Sequence, residues 1–148
     1  MKHYKYWTLS GKSVKGQSGS FGKNCNILCC VAVKDSKIFV GASDGSLQLW
    51  SGRACSKNIK VHSRAIHAIC LTDNMILTGS SDESVKIISA DSLEVVNTIE
   101  CASMFTHSVQ KAIRALDVWE NKIIVGTLGS EIYEISSNQA IDNATSEG

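Results

Sequence analysis

From Ile27 to Ile135 short apolar runs alternate with tight polar turns, and the alternation repeats. Each copy opens on an apolar run (ILCCVAV, AIHAICL, AIRALDV), makes a short polar turn and continues in a second run (KIFVGA, MILTGS, KIIVGT). It then turns through Ser, Asp or Gly and ends in a segment where apolar and polar residues alternate (SLQLW, SVKII, EIYEI). Runs of this length, rich in Val and Ile and bounded by turn formers, predict strands. A more polar fourth strand follows in two copies, at ACSKNIKV and SLEVVNTIE.

The copies superpose by register. A shift of 38 residues lays Val33 on Leu71, Asp35 on Asp73, Ile38 on Ile76, Gly41 on Gly79 and Asp44 on Asp82. A further shift of 47 lays Ala65-Ile66 on Ala112-Ile113, Asn74 on Asn121, Ile76 on Ile123 and Val85 on Ile132. HYKYW near the N-terminus lies on SLQLW, the end of one more copy. Four antiparallel strands repeated about every 40 residues make the layout of a β-propeller blade. The expected fold is all-β, a partial propeller of about three and a half four-stranded blades. The end of one blade falls in 1–23, blades in about 24–62, 63–107 and 108–136, and a polar tail in 137–148. Neighbouring blades would cover both faces of the first two strands in each copy, and the polar outer strand would meet water.

GASDGSLQLW and GSSDESVKII resemble the core of the WD repeat, in which a turn Asp stands six residues before a Trp. Asp44 and Trp50 fit in full; Asp82 fits in spacing, with Ile88 at the Trp place. VHSRAI resembles the Gly-His start of that repeat and puts His62 four residues before Ile66. The resemblance implies that histidine, Asp, a strand hydroxyl and Trp form a buried hydrogen-bonded set. A buried carboxylate needs such partners. The set is kept in pieces: Asn24 holds the histidine place of the first copy, and Gly129 and Ile135 hold the Asp and Trp places of the third, where His107 lies two residues off register. The expected structural blade residues are Trp7, Asp44, Trp50, His62 and Asp82.

A closer resemblance runs over most of residues 2–135. KHYKYWTLSGKSVKGQSGSFG, with ILCCVAV, VGASDGSLQLW, HSRAIHAICL and AIRALDVWENKIIVGTLGSEIYEI, is similar to the propeller region of the echinoderm microtubule-associated protein-like family. That resemblance implies a cytoplasmic, cytoskeletal parent protein whose tandem propellers bind tubulin. The other reading of the repeats is a general WD-repeat scaffold that grips a protein partner without a tubulin role.

Charge sharpens the first reading. Through Thr72 eleven Lys and Arg face two acidic residues; from Asp73 onward four face twelve, although the net charge is only +1. A basic half is drawn to an anionic surface, which makes Lys2, Lys5, Lys12, Lys15, Lys23, Arg53, Lys57, Lys60 and Arg64 the candidate partner-binding residues. The alternative is that the two halves attract each other or that further segments balance them. An open stack of blades exposes its end faces, so further blades or self-association are expected, most simply two copies giving about seven blades.

Other chemistries find little support. GQSGSFGKN lacks the spacing of a phosphate loop and leads into a strand instead of a helix. His62 and His67 have no HExxH context, and no nucleophile elbow is present. Neither catalytic residues, a cofactor nor a metal is therefore expected. The six cysteines show no CxxC spacing, and adjacent Cys29 and Cys30 point to opposite faces of a strand, which suits reduced apolar fillers. Tyr4, Tyr6 and Trp7 among early lysines could suggest nucleic acid, but Trp7 holds the place of Trp50 and the pI is about 7.6, so no nucleic-acid partner is expected. The apolar runs are far shorter than the roughly 20 residues of a membrane-spanning helix, so no membrane partner is expected either.

Overall fold

The computed structural model describes residues 5–19, 28–105, 107 and 109–136, with only the backbone of Tyr6 and Leu28. Thirteen strands and no helix are found among them. Strands β1 (Lys5–Ser10) and β2 (Ser13–Ser18) form a hairpin. Strands β3 (Leu28–Lys34), β4 (Lys37–Ala42), β5 (Ser46–Ser51) and β6 (Ala54–Lys60) form one antiparallel sheet in chain order. Strands β7 (Ile66–Leu71), β8 (Met75–Ser80), β9 (Ser84–Ser89) and β10 (Val95–Glu100) form the next. Strands β11 (Ile113–Trp119), β12 (Lys122–Thr127) and β13 (Ile132–Ser136) form a third, of three strands. Such sheets, repeated and packed face to face, make a partial β-propeller.

The turns explain the sharp strand ends. Gly45, Glu83 and Ser130 stand at the same register in the three copies, and all have positive φ. Only the first is a glycine, and there a Cβ would overlap the carbonyl oxygen of His62. Asp35 and Ser36, both at positive φ, turn β3 into β4 as the twist of a two-residue hairpin requires.

Adjacent sheets approach most closely along their first strands β3, β7 and β11. Alternation sends Phe39 and Leu47 of the first sheet toward Ile66, Ile76 and Ile88 of the second, with Val61 and Leu93 closing that core. The opposite face of the second sheet packs Leu77, Val85 and Ile87 against Ile113, Ile123, Val125 and Ile135 of the third. Phe105, from the connection after β10, stacks on Tyr133 with ring centroids 3.8 Å apart. Lys34 fastens the first sheet to the second: its Nζ donates to the carbonyl oxygens of Thr72 and Asp73 at 2.7 and 2.9 Å.

Burial on both faces holds for β8 but not for every inner strand. Val31 and Val33 on β3 are 61% and 66% exposed, and Arg114, Ala115, Asp117 and Trp119 on β11 are exposed. These strands belong to the first and last of the three packed sheets, each of which, among the described residues, packs on another of the three on one side only. Cys101 is buried and Cys30 and Cys70 are partly buried free thiols, in keeping with apolar fillers, whereas Cys29 is exposed and does not fill a core. Burial pushes Cys30 up to about 11 and Cys101 up to about 12, which keeps both uncharged.

Candidate functional site

The second sheet holds a buried polar network. His62, on the connection from β6 to β7, has a fully buried side chain. Its Nδ1–H donates to the Asp82 carboxylate at 3.0 Å, and its Nε2 lies 2.8 Å from Thr78 Oγ1, which donates to it. Ser84 Oγ donates to Asp82 Oδ1 at 2.7 Å, and the Ser63 backbone N–H donates to Oδ2 at 3.0 Å. Burial holds the imidazole below its ordinary value, against the pull of Asp82. For Asp82 burial works upward, but the hydrogen bonds from Ser84 and Ser63 and the neighbouring imidazole outweigh it and bring the carboxyl to about 2. The stable pairing is a neutral imidazole beside a carboxylate, a structural joint between strands with every polar atom engaged. Ile88, at the register of Trp50, is buried in the adjoining core.

The first sheet solves the same position differently. Trp50 is buried with Ile38, Val40 and Cys55 on the face turned away from the second sheet. Val40 stands where the second sheet has Thr78, so no strand hydroxyl is offered there. The indole N–H donates to Gln48 Oε1 at 3.1 Å instead. Asp44 caps its own turn, accepting from the backbone N–H of Ser46 at 2.9 Å and from the Ser46 hydroxyl. Trp7 pairs across the hairpin with Gly16, whose missing side chain leaves room for the ring, and is 55% exposed.

Seven of the nine candidate partner-binding residues are described, and they lie on the hairpin, on the β5–β6 turn with β6, and in the loop before β7. Lys5, Lys12 and Lys15 are exposed on the β1–β2 hairpin, with the Lys5 ammonium 5.8 Å from the centroid of the Trp7 ring. Arg53, in the β5–β6 turn, donates from Nε to Ser18 O at 3.1 Å and so sets the hairpin end beside that turn. Lys57 and Lys60 lie exposed along β6, and Lys60 Nζ donates to the Asp44 carbonyl. Arg64 is exposed in the loop before β7. Lys2 and Lys23 lie outside the described residues, as do Asn24 and the tail 137–148.

One group was missed by the residue-type search. Each sheet interrupts its first ladder at the same place, between Leu28 and Cys30, Ile66 and Ala68, and Ile113 and Ala115. The bulged residues are therefore Cys29, His67 and Arg114, related by the same shifts of 38 and 47. A bulge re-aims its side chain and so suits a binding edge. Arg114 Nη1 donates to His67 Nδ1 at 2.9 Å, and His67 Nε2–H donates to Ser81 Oγ at 2.7 Å. Burial and the Arg114 charge lower the imidazole's affinity for a proton. The result is an aligned cation held at an exposed rim, able to receive a carboxylate. Among the described residues no cluster of His, Cys, Asp and Glu could hold a metal.

Partial propellers of this kind, carrying a His–Asp–hydroxyl joint, are of WD-repeat type. Known proteins agree with that class. The chain is similar to the ciliary WD repeat-containing protein ctxp80 of Euplotoides octocarinatus, 26% identical over 140 residues that cover 92% of this chain and 18% of that protein. It is also similar to cilia- and flagella-associated protein 44 of Mus musculus, 30% identical over 110 residues covering 66% of this chain and 6% of that one. The chain thus spans less than a fifth of either relative. No family model matches it. Among solved structures, the computationally designed Ika4 protein has a TM-score of 0.64 at 15% identity over 81% of this chain and 71% of its own. The designed Ika8 protein has a TM-score of 0.65 at 14% identity over 88% of this chain and 45% of its own. These two likenesses are of fold.

Proposed function

We propose that this chain is a non-enzymatic, protein-binding propeller segment of a cytoskeletal protein, and that tubulin is its partner. The observation that carries the cytoskeletal part is the likeness to two relatives, one named a ciliary WD repeat-containing protein and the other a cilia- and flagella-associated protein. The tubulin part is supported by the exposed cations of the hairpin and β6, Lys5, Lys12, Lys15, Arg53, Lys57 and Lys60, with Arg64 beyond them. An acidic polymer surface would attract them through salt-sensitive contacts. A cytoplasmic location and membership of the echinoderm microtubule-associated protein-like family belong to the same proposal.

A second reading, a general scaffold, is favoured by one feature: the rim cation at Arg114 is positioned by His67, which points to an acidic peptide as its occupant. Co-pelleting with microtubules separates the two. The tubulin reading expects pelleting at low salt that fades at moderate salt and is lost when Lys5, Lys12, Lys15 and Lys57 are changed to Glu, while Arg114→Glu leaves it intact. Pelleting absent at low salt, or indifferent to those four changes, would remove tubulin and leave the scaffold.

A further inference from the structure

We infer that His67 couples a proton to the binding of an acidic partner at the rim: a carboxylate seated on Arg114 draws a proton from solvent onto His67 Nδ1, and the two cations then hold it together. The inference rests on the scaffold reading, in which Arg114 receives an acidic peptide. The site is built between β7 and β11, where the second and third sheets approach most closely.

Register explains why the guanidinium reaches across that junction. In the second sheet the bulged residue, His67, finds its partner in its own β8–β9 turn, at Ser81. The shift of 47 that lays Val85 on Ile132 lays Ser81 on Leu128, whose side chain accepts nothing. Arg114 turns instead to the neighbouring sheet and donates from Nη1 to His67 Nδ1 at 2.9 Å. That bond also fixes the tautomer. A guanidinium only donates, so Nδ1 is the bare nitrogen and the ring proton sits on Nε2, which donates to Ser81 Oγ at 2.7 Å.

The neutral ring therefore has no N–H left for a ligand, while the remaining guanidinium N–H groups can fork onto a carboxylate. A proton at Nδ1 turns an acceptor into a donor and sets a second positive charge beside Arg114. Without an anion the two cations repel, and burial adds to the cost, which is why the imidazole takes up a proton reluctantly. A carboxylate between them reverses the sign. The acidic groups on the surrounding elements are engaged elsewhere: Asp82 by His62, Ser63 and Ser84, Asp44 by Ser46, and Asp117 by the Val118 N–H. Glu83 of the same turn and Arg64 ahead of β7 make no hydrogen bond to the ring, whose two nitrogens are both taken. The Cys29 thiol on the first sheet is pushed up by burial and stays neutral. Binding and protonation are reciprocal, so an anion that raises the proton affinity of His67 must bind more tightly as pH falls.

Nuclear magnetic resonance of the full chain, titrated with an acetylated and amidated tetraglutamate peptide at physiological salt between pH 8 and about 5.5, tests this; the peptide's carboxylates stay largely ionised there. The peptide should raise the pH at which the His67 ring titrates, and its affinity should tighten about threefold or more across the range. Arg114→Gln should remove the peptide's effect on His67 and, without peptide, let the ring titrate at higher pH. His67→Gln, which offers Arg114 an acceptor but takes up no proton, should show one affinity throughout. Binding through Arg114 that stays flat or weakens as the wild type is acidified, or a pH dependence that survives His67→Gln, would overturn the coupling and leave the scaffold reading standing. No binding, or binding indifferent to Arg114→Gln, would overturn both.

Discussion

The second and third sheets are built on one register, yet they live in different surroundings. Val85 and Ile132 hold the same place in their ladders; one is wholly buried and the other stands in water. The local sequence does not make that difference. Both residues are β-branched, both pair with a glycine on the preceding strand, and both follow a positive-φ turn. What differs is whether another sheet lies on that side. The lesson is that in such a stack a residue's stabilising value is assigned by its neighbour, and the same position in the ladder is core in one sheet and exposed in the next.

Truncating matched positions sets the comparison on an energetic scale. Ile113→Ala removes the side chain that seats over Gly79 and should cost about 2–5 kcal/mol in urea unfolding, the range for a fully buried isoleucine that leaves a cavity. Ile132→Ala in the dilute chain should change stability by no more than about 0.5 kcal/mol, as expected of an exposed side chain. Equal costs at the two sites would mean that the third sheet is covered after all.

Acid should affect the second sheet more gently. The Asp82 carboxyl lies well below its ordinary value, so its contribution is complete above the unfolded carboxylate range near 4 and is lost as pH falls toward about 2. The loss should be about 1–2 kcal/mol, allowing for the part of the carboxylate that water still screens. His62 works in the same direction at higher pH. Its depressed value means that the unfolded chain takes up the proton first, so stability declines as pH drops below the ordinary histidine range. Asp82→Asn should flatten the lower step and leave the upper one, measured as unfolding midpoint against pH.

Much of this architecture was legible in the residues. The apolar runs, the turn formers and the two shifts of 38 and 47 placed the strands closely, because strand burial and turn geometry are written into local composition. His62 and Asp82 could be named through the resemblance of their segments to the WD repeat, which implies that such a pair meets. Gln48 as the partner of Trp50 could not, since it depends on Val40 displacing a hydroxyl that the repeat usually supplies. The line of Cys29, His67 and Arg114 was present in the register but chemically unlike from copy to copy, so residue type concealed what the bulges reveal. The exposed Val31, Val33 and Ile132 were hidden because hydrophobicity says what could be covered, not whether it is.

Amide hydrogen exchange of the unmodified chain tests most directly whether the outward side of the third sheet is uncovered. The account predicts that β8 and β9 exchange slowly, while β12 and β13 exchange faster. Protection of β12 and β13 equal to that of β8 and β9 would contradict it.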